Sequence, residues 1–256
     1  MTLEGYNMQR IKCADCKTTS AKKYVRGYCI ICYNRLLKNG ALSKIDKNIP
    51  KIITNHQLQI INGLMLGDGH LERRSPTHNT ILRVERSIKD EDYLRDNYKS
   101  FEDFCASSPR FRKKNGVLRF INFATRSVPV FNYLHDKWYN KKTKIVPSDI
   151  NLTPLTCAIW FCDDGFFHRA RGYLLMKLCT HSFTFDEVER LANILSNKLC
   201  CHFSPIAMHK DESTYYTING AGPAARNFYD YIQECFPLSM SRKIDNFNIH
   251  KICVKY

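Results

Sequence analysis

Two short apolar stretches, 96 residues apart from Asp68 to Asp164, each end in an aspartate followed by a glycine. The first reads Gly-Leu-Met-Leu-Gly-Asp-Gly at 63–69, and the second reads Ala-Ile-Trp-Phe-Cys-Asp-Asp-Gly at 158–165. Each predicts a helix whose last turn delivers a carboxylate. A carboxylate there opposes the helix dipole, and two such carboxylates repel each other. The pair is therefore unfavourable unless divalent cations neutralise it.

Small residues predict that the two helices pack side by side. Gly63 and Gly67 are four apart, as are Ala158 and Cys162, so each helix has a stripe of small side chains. Such stripes allow close approach, which would bring Asp68 and Asp164 together at the helix ends. Ile159 stands where the first stretch has Gly63, so the two helices cannot be packed identically.

The chemistry expected of this pair is hydrolysis of a phosphodiester. A few hard oxygen ligands suit Mg²⁺ or Mn²⁺, which retain water and gain ligands from substrate phosphates. Activated water as the nucleophile, with a metal ion stabilising the leaving oxygen, is a known route to phosphodiester cleavage. A single Gly-Asp-Gly is more often a plain turn. Two of them in matching places of a duplicated basic chain favour a metal site.

The net charge of +15 indicates a nucleic-acid partner. A solvated basic surface is the alternative. The sequence has no apolar run of 18 residues and no long basic amphipathic helix, so no membrane partner is expected. Twelve cysteines without a secretory signal indicate a reducing compartment. We expect the cytoplasm of a prokaryotic or phage-infected cell, with an organelle matrix as the alternative.

Two CxxC pairs near the N-terminus predict a structural zinc site. Cys13 and Cys16 form the first pair, Cys29 and Cys32 form the second, and 12 residues separate them. Four thiolates can bind one tetrahedral Zn²⁺, around which so short a segment folds. A redox CxxC would need a βαβ context that is absent here, and incidental buried cysteines are the other alternative.

Positive charge is concentrated around this module. From residue 10 to 51 there are eleven lysines and arginines against two acids, which accounts for nine of the fifteen net charges. Lys22, Lys23 and Arg26 lie between the two CxxC pairs and are candidates for phosphate contacts. For the segment 44–51, a solvated tether is the alternative.

The rest of the chain is predicted to be an internal duplication. The order helix, two strands, helix, two strands, helix occurs twice, which makes two αββαββα repeats of an α+β fold. The predicted elements of the first repeat are a capped helix from Thr54, strands at 80–86 and 110–125 around Asn115-Gly116, and helices at 90–104 and 128–139. Those of the second are a helix from Thr153-Pro154, strands at 173–179 and 203–219 around Lys210-Asp211, and helices at 185–199 and 224–235. The predicted domains are a zinc module at 1–42, a linker at 43–54, and repeats at 55–150 and 151–256.

Each repeat should form a four-stranded sheet with helices on one face and the other face open to a partner. Basic residues on the strands of the first repeat suit phosphates and base edges. They are Arg83, Arg86, Arg110, Arg112, Lys113 and Arg119.

Three stretches resemble the LAGLIDADG homing endonucleases, in the single-chain, two-repeat branch that includes the omega-intron endonuclease. The segment 63–69 is similar to the first family helix, and 152–165 is similar to the second and is the more specific match. Residues 180–189, Thr-His-Ser-Phe-Thr-Phe-Asp-Glu-Val-Glu, are similar to the stretch after that second motif in the same branch. The resemblance covers about 56–250 and does not include the zinc module.

The resemblance implies roles for individual residues. The last acid of each motif, here Asp68 and Asp164, would bind catalytic divalent ions. Gly67 and Asp163 precede these ligand positions and would support them. A basic residue from each repeat would lie near the scissile phosphates, orienting water and offsetting charge. For the second repeat the matching residue is Lys243, and for the first repeat it is Lys144, with Lys142 as the alternative.

The resemblance also implies a pair of saddle-shaped sheets over double-stranded DNA. The target would be long and asymmetric, and cleavage across the minor groove would leave short 3′ overhangs. We expect a monomer whose zinc module extends the contact along the DNA. Two other functions remain open: an RNA-binding intron maturase, and a DNA-binding regulator that has lost cleavage.

Overall fold

The structure, a computed structural model, describes residues 13, 15–19, 24–25, 28–39, 49–170, 172–210 and 213–248. These residues fall into two compact units, divided between Ile49 and Pro50. The predicted phosphate contacts Lys22, Lys23 and Arg26 lie outside the described residues. Over the described ranges, no helix is long and apolar enough to cross a membrane.

In the described part of the first unit, a short antiparallel hairpin is followed by one helix. Strands β1 (Tyr24–Val25) and β2 (Tyr28–Cys29) pair, and helix α1 (Ile30–Lys38) follows directly. The buried cluster of this unit consists of Cys13, Cys29 and Cys32, with Tyr28 packed against it. Among the described residues, this cluster consists largely of cysteine side chains and offers little apolar surface with which to stabilise a fold.

The second unit contains both predicted repeats. The first repeat comprises α2 (Asn55–Leu66), β3 (His70–Glu72), β4 (Ile81–Ser87), α3 (Glu91–Phe101), β5 (Arg110–Lys114), β6 (Val117–Ala124), α4 (Asn132–Trp138), β7 (Tyr139–Asn140) and β8 (Thr143–Lys144). The second comprises α5 (Pro154–Asp164), β9 (Gly165–Ala170), β10 (Tyr173–Cys179), α6 (Phe185–Leu199), β11 (Phe203–Lys210), β12 (Ser213–Ala221), α7 (Pro223–Ile232), a 3-10 helix (Leu238–Lys243) and α8 (Asp245–Asn248).

The two main sheets have the same antiparallel topology. Their strand orders are β3-β4-β6-β5 and β9-β10-β12-β11, so equivalent strands occupy equivalent places. The predicted α+β duplication is confirmed. The repeats differ at their ends, where the first closes on the β7–β8 hairpin and the second on a 3-10 helix and α8.

Local sequence signals explain where the helices begin. Thr54 and Gln57 form the predicted capping box of α2, and Thr153 caps α5 directly before Pro154. The predicted helix at 90–104 is shorter than expected, because α3 is preceded and followed by single 3-10 turns. The predicted helix at 128–139 likewise begins as a 3-10 turn before α4.

Alternation on the strands gives each main sheet one buried face and one open face. In β4, Leu82 and Val84 are buried beneath the helices, whereas Arg83 and Glu85 are exposed. Helix α3 packs on β4 and β6, and α6 packs on β11 and β12. Each sheet therefore has an open face, as predicted.

The two motif helices, α2 and α5, pack directly against each other. A Cβ added at Gly63 would lie 2.6 Å from the Cβ of Ile159 and 2.7 Å from the carbonyl oxygen of Thr156. A Cβ added at Gly67 would lie 2.5 Å from the Cβ of Asp163. Only glycine allows so close an approach.

One detail of the predicted packing is wrong. Gly63 and Gly67 face Ile159 and Asp163, which are their own counterparts 96 residues later, and not the predicted stripe of Ala158 and Cys162. The helices pair a small side chain with a large one across the axis that relates the repeats. The two helices are therefore not packed identically, as predicted, and the glycines of α2 are complementary to the larger side chains of α5.

Candidate active site

Asp68 and Asp164 lie at equivalent helix ends. Helix α2 ends at Leu66 and is capped by Gly67, and Asp68 follows with its side chain 56% exposed. Helix α5 ends at Asp164, whose neighbour Gly165 begins β9. The backbone N–H of Asp68 donates to Oδ2 of Asp163 at 3.2 Å, so the end of the first motif is bound to the second motif helix.

Negative charge accumulates where the helix ends meet. Burial, together with the neighbouring carboxylates of Asp68 and Asp163, raises the pKa of Asp164 to about 7 although Lys144 and Lys243 oppose the shift. Burial also raises the pKa of Asp163 to about 6, despite its contact with Arg86. The structure thus brings Asp68 and Asp164 into one electrostatic cluster. Hard oxygen donors with incompletely balanced charge fit Mg²⁺ or Mn²⁺.

Each motif also has its own lysine. The Nζ of Lys144 donates to the carbonyl oxygens of Gly67 at 2.9 Å and Gly69 at 3.2 Å. The Nζ of Lys243 donates to the carbonyl oxygens of Asp163 at 3.3 Å and Gly165 at 2.8 Å. These two pairs of carbonyls are each 96 residues apart, so the lysines occupy equivalent places in the two repeats.

The surroundings of the two lysines lower the pKa of both side chains. Burial lowers the pKa of Lys144 to about 8, although the carboxylates of Asp164, Asp163 and Asp68 oppose the shift. Burial lowers the pKa of Lys243 as well. Lys142, the alternative to Lys144, is exposed on the turn of the β7–β8 hairpin. The structure therefore brings Lys144, and not Lys142, to the carboxylates.

Arg86 was predicted to contact a partner from the open sheet face, and this prediction is wrong. Its side chain is buried beneath the sheet, where its guanidinium lies 2.6 Å from Asp163 and 3.4 Å from Asp68. Side chains alternate along a strand, so Arg83 and Arg86, three apart, must face opposite sides. That rule applied to the sequence could have identified Arg86. Tyr93, which donates to Asp163 at 3.2 Å, carried no comparable signal.

Of the other predicted basic residues, Arg83, Arg110 and Arg112 lie on the open face of the first sheet. Alternation along β6 instead places Arg119 on the same face as the buried Ile121, although Arg119 itself is exposed. Arg83 pairs with Glu72, and Arg112 makes a two-point ion pair with Glu85, so both are partly neutralised. Three further residues are exposed on the β5–β6 hairpin, where the register shifts between Arg112 and Lys113. They are Arg110, Lys113 and Arg119.

The four predicted cysteine ligands converge in the first unit. The Sγ atoms of Cys13, Cys16, Cys29 and Cys32 all lie within 4.8 Å of one another. In the part of the chain that the structure describes, this is the only group of three or more Cys, His or acidic side chains that converges so closely. The group has the composition of a tetrahedral zinc site. The carboxylates of Asp68 and Asp164, by contrast, are not part of such a closed group.

Curated proteins similar to this chain include both maturases and an endonuclease. The cytochrome b mRNA maturase bI2 of Debaryomyces hansenii is 28% identical over 214 residues, which cover 78% of each chain. The maturase bI2 of Saccharomyces cerevisiae is 30% identical over 200 residues, covering 72% of this chain and 44% of that protein. DNA endonuclease I-ChuI of Chlamydomonas applanata is 26% identical over 159 residues, covering 56% of this chain and 72% of that protein.

A solved structure and a family model agree on the fold. The homing endonuclease I-WcaI bound to its DNA recognition sequence superposes with a TM-score of 0.66 over 75% of this chain and 87% of that one, at 22% identity. The LAGLIDADG DNA endonuclease family model matches residues 58–220, which is more than half of the chain and includes both Asp-Gly motifs. With its two antiparallel sheet repeats joined through the motif helices α2 and α5, the chain belongs to the LAGLIDADG DNA endonuclease family.

Proposed function

We propose that this protein is a site-specific double-strand DNA endonuclease that depends on Mg²⁺ or Mn²⁺. The observation that carries the proposal is the doubled arrangement at the helix ends. There, Asp68 and Asp164 share one electrostatic cluster, and Lys144 and Lys243 each bind the same two carbonyls of their own motif. Two equivalent half-sites suit a reaction carried out once on each DNA strand.

In this proposal, the carboxylates of Asp68 and Asp164 hold the divalent ions. When bound, these ions would supply a more acidic water and stabilise charge on the scissile phosphate. Lys144 and Lys243, fixed by their carbonyl contacts, orient water and offset charge that develops on the phosphate oxygens. Hydrolysis leaves short 3′ overhangs.

The proposed partner is a long, asymmetric duplex bound by a monomer across the open sheet faces. The net charge of +15 supports an anionic partner, and the exposed hairpin residues Arg110, Lys113 and Arg119 suit phosphate contacts. The similar fold of I-WcaI, which is bound to its DNA recognition sequence, supports DNA as the partner.

The test is cleavage of a duplex that carries the insertion site of the protein's own gene, with a randomised library as the second substrate. We expect Mg²⁺-dependent double-strand cleavage that a chelator abolishes. Asp68→Asn and Asp164→Asn should each abolish cleavage while duplex binding is retained, because binding does not need clustered carboxylates. Asp92→Asn, at an exposed position of α3, is the matched control. Binding without any nicking would instead favour a non-cleaving regulator.

A second candidate function is an RNA-binding intron maturase. The observation in its favour is the similarity to two cytochrome b mRNA maturases over more than 70% of this chain. Stimulated splicing of the host intron by the purified protein would support it. If Asp164→Asn abolished cleavage and left that splicing intact, the two activities would be separate.

We also propose that the four cysteines hold one structural Zn²⁺. Because the buried cluster among the described residues of the first unit consists largely of these cysteines, removal of zinc should unfold this unit and leave the second unit folded. Elemental analysis should find one zinc per chain, and far-UV circular dichroism should show a partial loss of structure on chelation. Cys16→Ser should lower the zinc content, whereas Cys200→Ser, at an exposed cysteine of the second unit, should not.

A further inference from the structure

A buried ion pair links the first sheet to the second motif helix. Arg86 comes from β4 of the first repeat, and its side chain is only 4% exposed. Its Nη2 lies 2.6 Å from Oδ2 of Asp163 in the second repeat. Its Nη1 lies 3.4 Å from Oδ2 of Asp68, the proposed metal ligand of its own repeat. A single guanidinium therefore contacts carboxylates of both repeats.

The carboxylate of Asp163 is itself occupied by donors of the first repeat. Besides Arg86, its Oδ2 accepts the backbone N–H of Asp68 at 3.2 Å. Its Oδ1 accepts the hydroxyl of Tyr93 at 3.2 Å, and that hydroxyl also lies 3.3 Å from the carbonyl oxygen of Ile159. The side chain of Asp163 is fully buried, and both of its carboxylate oxygens accept hydrogen bonds. Asp163 can therefore fix the positions of these groups of the first repeat.

The arrangement occurs on one side of the pseudo-symmetric site only. The counterpart of Asp163 is Gly67, whose missing side chain leaves the room that the Asp163 carboxylate fills. His70 pairs with Arg83, and its counterpart Phe166 pairs with Lys177, so the counterpart of Arg86 is Thr180. Thr180 instead donates to the carbonyl oxygen of Tyr216 at 2.6 Å. Because the hydroxyl of Thr180 is neutral, it cannot form an ion pair with Asp164.

We propose that Arg86 and Asp163 form a positioning pair that fixes Asp68 across the interface between the repeats. Asp163 holds the backbone of Asp68 through its N–H, and Arg86 restrains the carboxylate. The inference rests on the proposed function in that it takes Asp68 to be a metal ligand. Groups that orient a ligand in this way typically change metal affinity by about ten- to a hundredfold when they are removed.

The test must separate positioning from stability, because an unpaired buried charge destabilises any fold. We would compare Arg86→Met, Asp163→Asn and the double variant. Each single variant leaves one unbalanced polar partner and should unfold at lower denaturant concentration. The double variant removes both charges together and should recover much of that loss. Arg95→Met, which removes an arginine from a surface ion pair on α3, is the matched control.

Binding of Mn²⁺ to the free protein, measured by electron paramagnetic resonance, gives a readout that does not depend on catalysis. The part of the Mn²⁺ binding that is lost in Asp68→Asn is assigned to the site that contains Asp68. For the double variant we expect about ten- to hundredfold weaker Mn²⁺ binding, although its stability is largely restored. The Mg²⁺ concentration for half-maximal nicking should rise in parallel, and Arg95→Met should match the unaltered protein in both measurements.

Different results would overturn different claims. Unaltered Mn²⁺ affinity in a folded double variant would overturn the positioning role and leave the proposed function intact. If the unaltered protein bound Mn²⁺ through Asp68 but nicked no duplex, the proposed function would fail, while the variants would still test positioning. If no Mn²⁺ bound through Asp68 even when duplex was present to supply phosphate ligands, both claims would fall.

Discussion

At the scale of single residues, the doubled lysines are the feature that most constrains the chemistry. Lys144 and Lys243 come from different kinds of element, a β-hairpin and a 3-10 helix, yet each binds the carbonyls at the same two places of its own motif. Their spacing from the aspartates also differs, 76 residues in one repeat and 79 in the other. A shared position reached by different routes indicates that the position itself matters.

We therefore expect Lys144→Met and Lys243→Met to slow cleavage with little effect on duplex affinity. Donors that act on charge developing in a transition state contribute about 10²–10³-fold to the rate. Single-turnover cleavage at saturating protein measures this directly. Lys142→Met, on the same hairpin but exposed, should cleave at the unaltered rate. A tenfold weaker duplex affinity with an unchanged cleavage rate constant would mean that the lysines only bind the DNA phosphates.

Much of the site could be predicted from the sequence, since the two Asp-Gly motifs and the cysteine pairs are local patterns. The parts that could not be predicted depend on the third dimension. The sequence prediction placed Arg86 on the open face together with Arg83, although strand alternation separates them. The pairing of Gly67 with Asp163 depends on how two helices approach, which no spacing within one helix determines.

At the scale of elements, the α2–α5 pair is the structural centre on which both half-sites depend. Large side chains of α5 fill the space above glycines of α2, so the interface is complementary rather than repeated. The starts of α2 and α5 were predicted well because their capping residues are local. The bounds of α3 and α4 were predicted less well, since 3-10 turns beside them, such as Pro129–Phe131 at the start of the predicted helix 128–139, reflect packing rather than propensity.

Gly63→Ala should destabilise the protein, because its Cβ would meet the Cβ of Ile159 and the backbone oxygen of Thr156 at less than 3.0 Å. Overpacking of this kind costs about 1–3 kcal/mol, and a backbone neighbour cannot move aside as a flexible side chain can. Denaturant unfolding of the second unit measures the loss. Asn193→Ala, at an exposed position of α6, controls for introducing alanine into a helix and should not destabilise. Equal stabilities for the two variants would contradict the close packing.

At the scale of the whole molecule, the two repeats share their fold but differ in the charge of their open faces. Both repeats have the same strand order, yet the open face of the first carries charges, many already paired, whereas that of the second includes apolar residues such as Phe166 and Ile206. Of the net positive charge, nine units lie between residues 10 and 51. The charges on the two sheet faces therefore do not follow the symmetry of the fold.

This distribution predicts which arginines and lysines control the salt dependence of duplex binding. Each phosphate contact contributes about 0.9 to the slope of log affinity against log salt. The triple variant Arg110→Gln/Lys113→Gln/Arg119→Gln should therefore lower that slope by about 3 if all three contact phosphates. Arg95→Gln, whose charge is already paired with Glu91 on α3, should leave the slope unchanged. A titration of binding from low to moderate salt measures both. If the triple variant kept the full slope, the duplex would not lie on the β5–β6 hairpin, because removing three charges from a contact surface must reduce the number of counterions that binding releases.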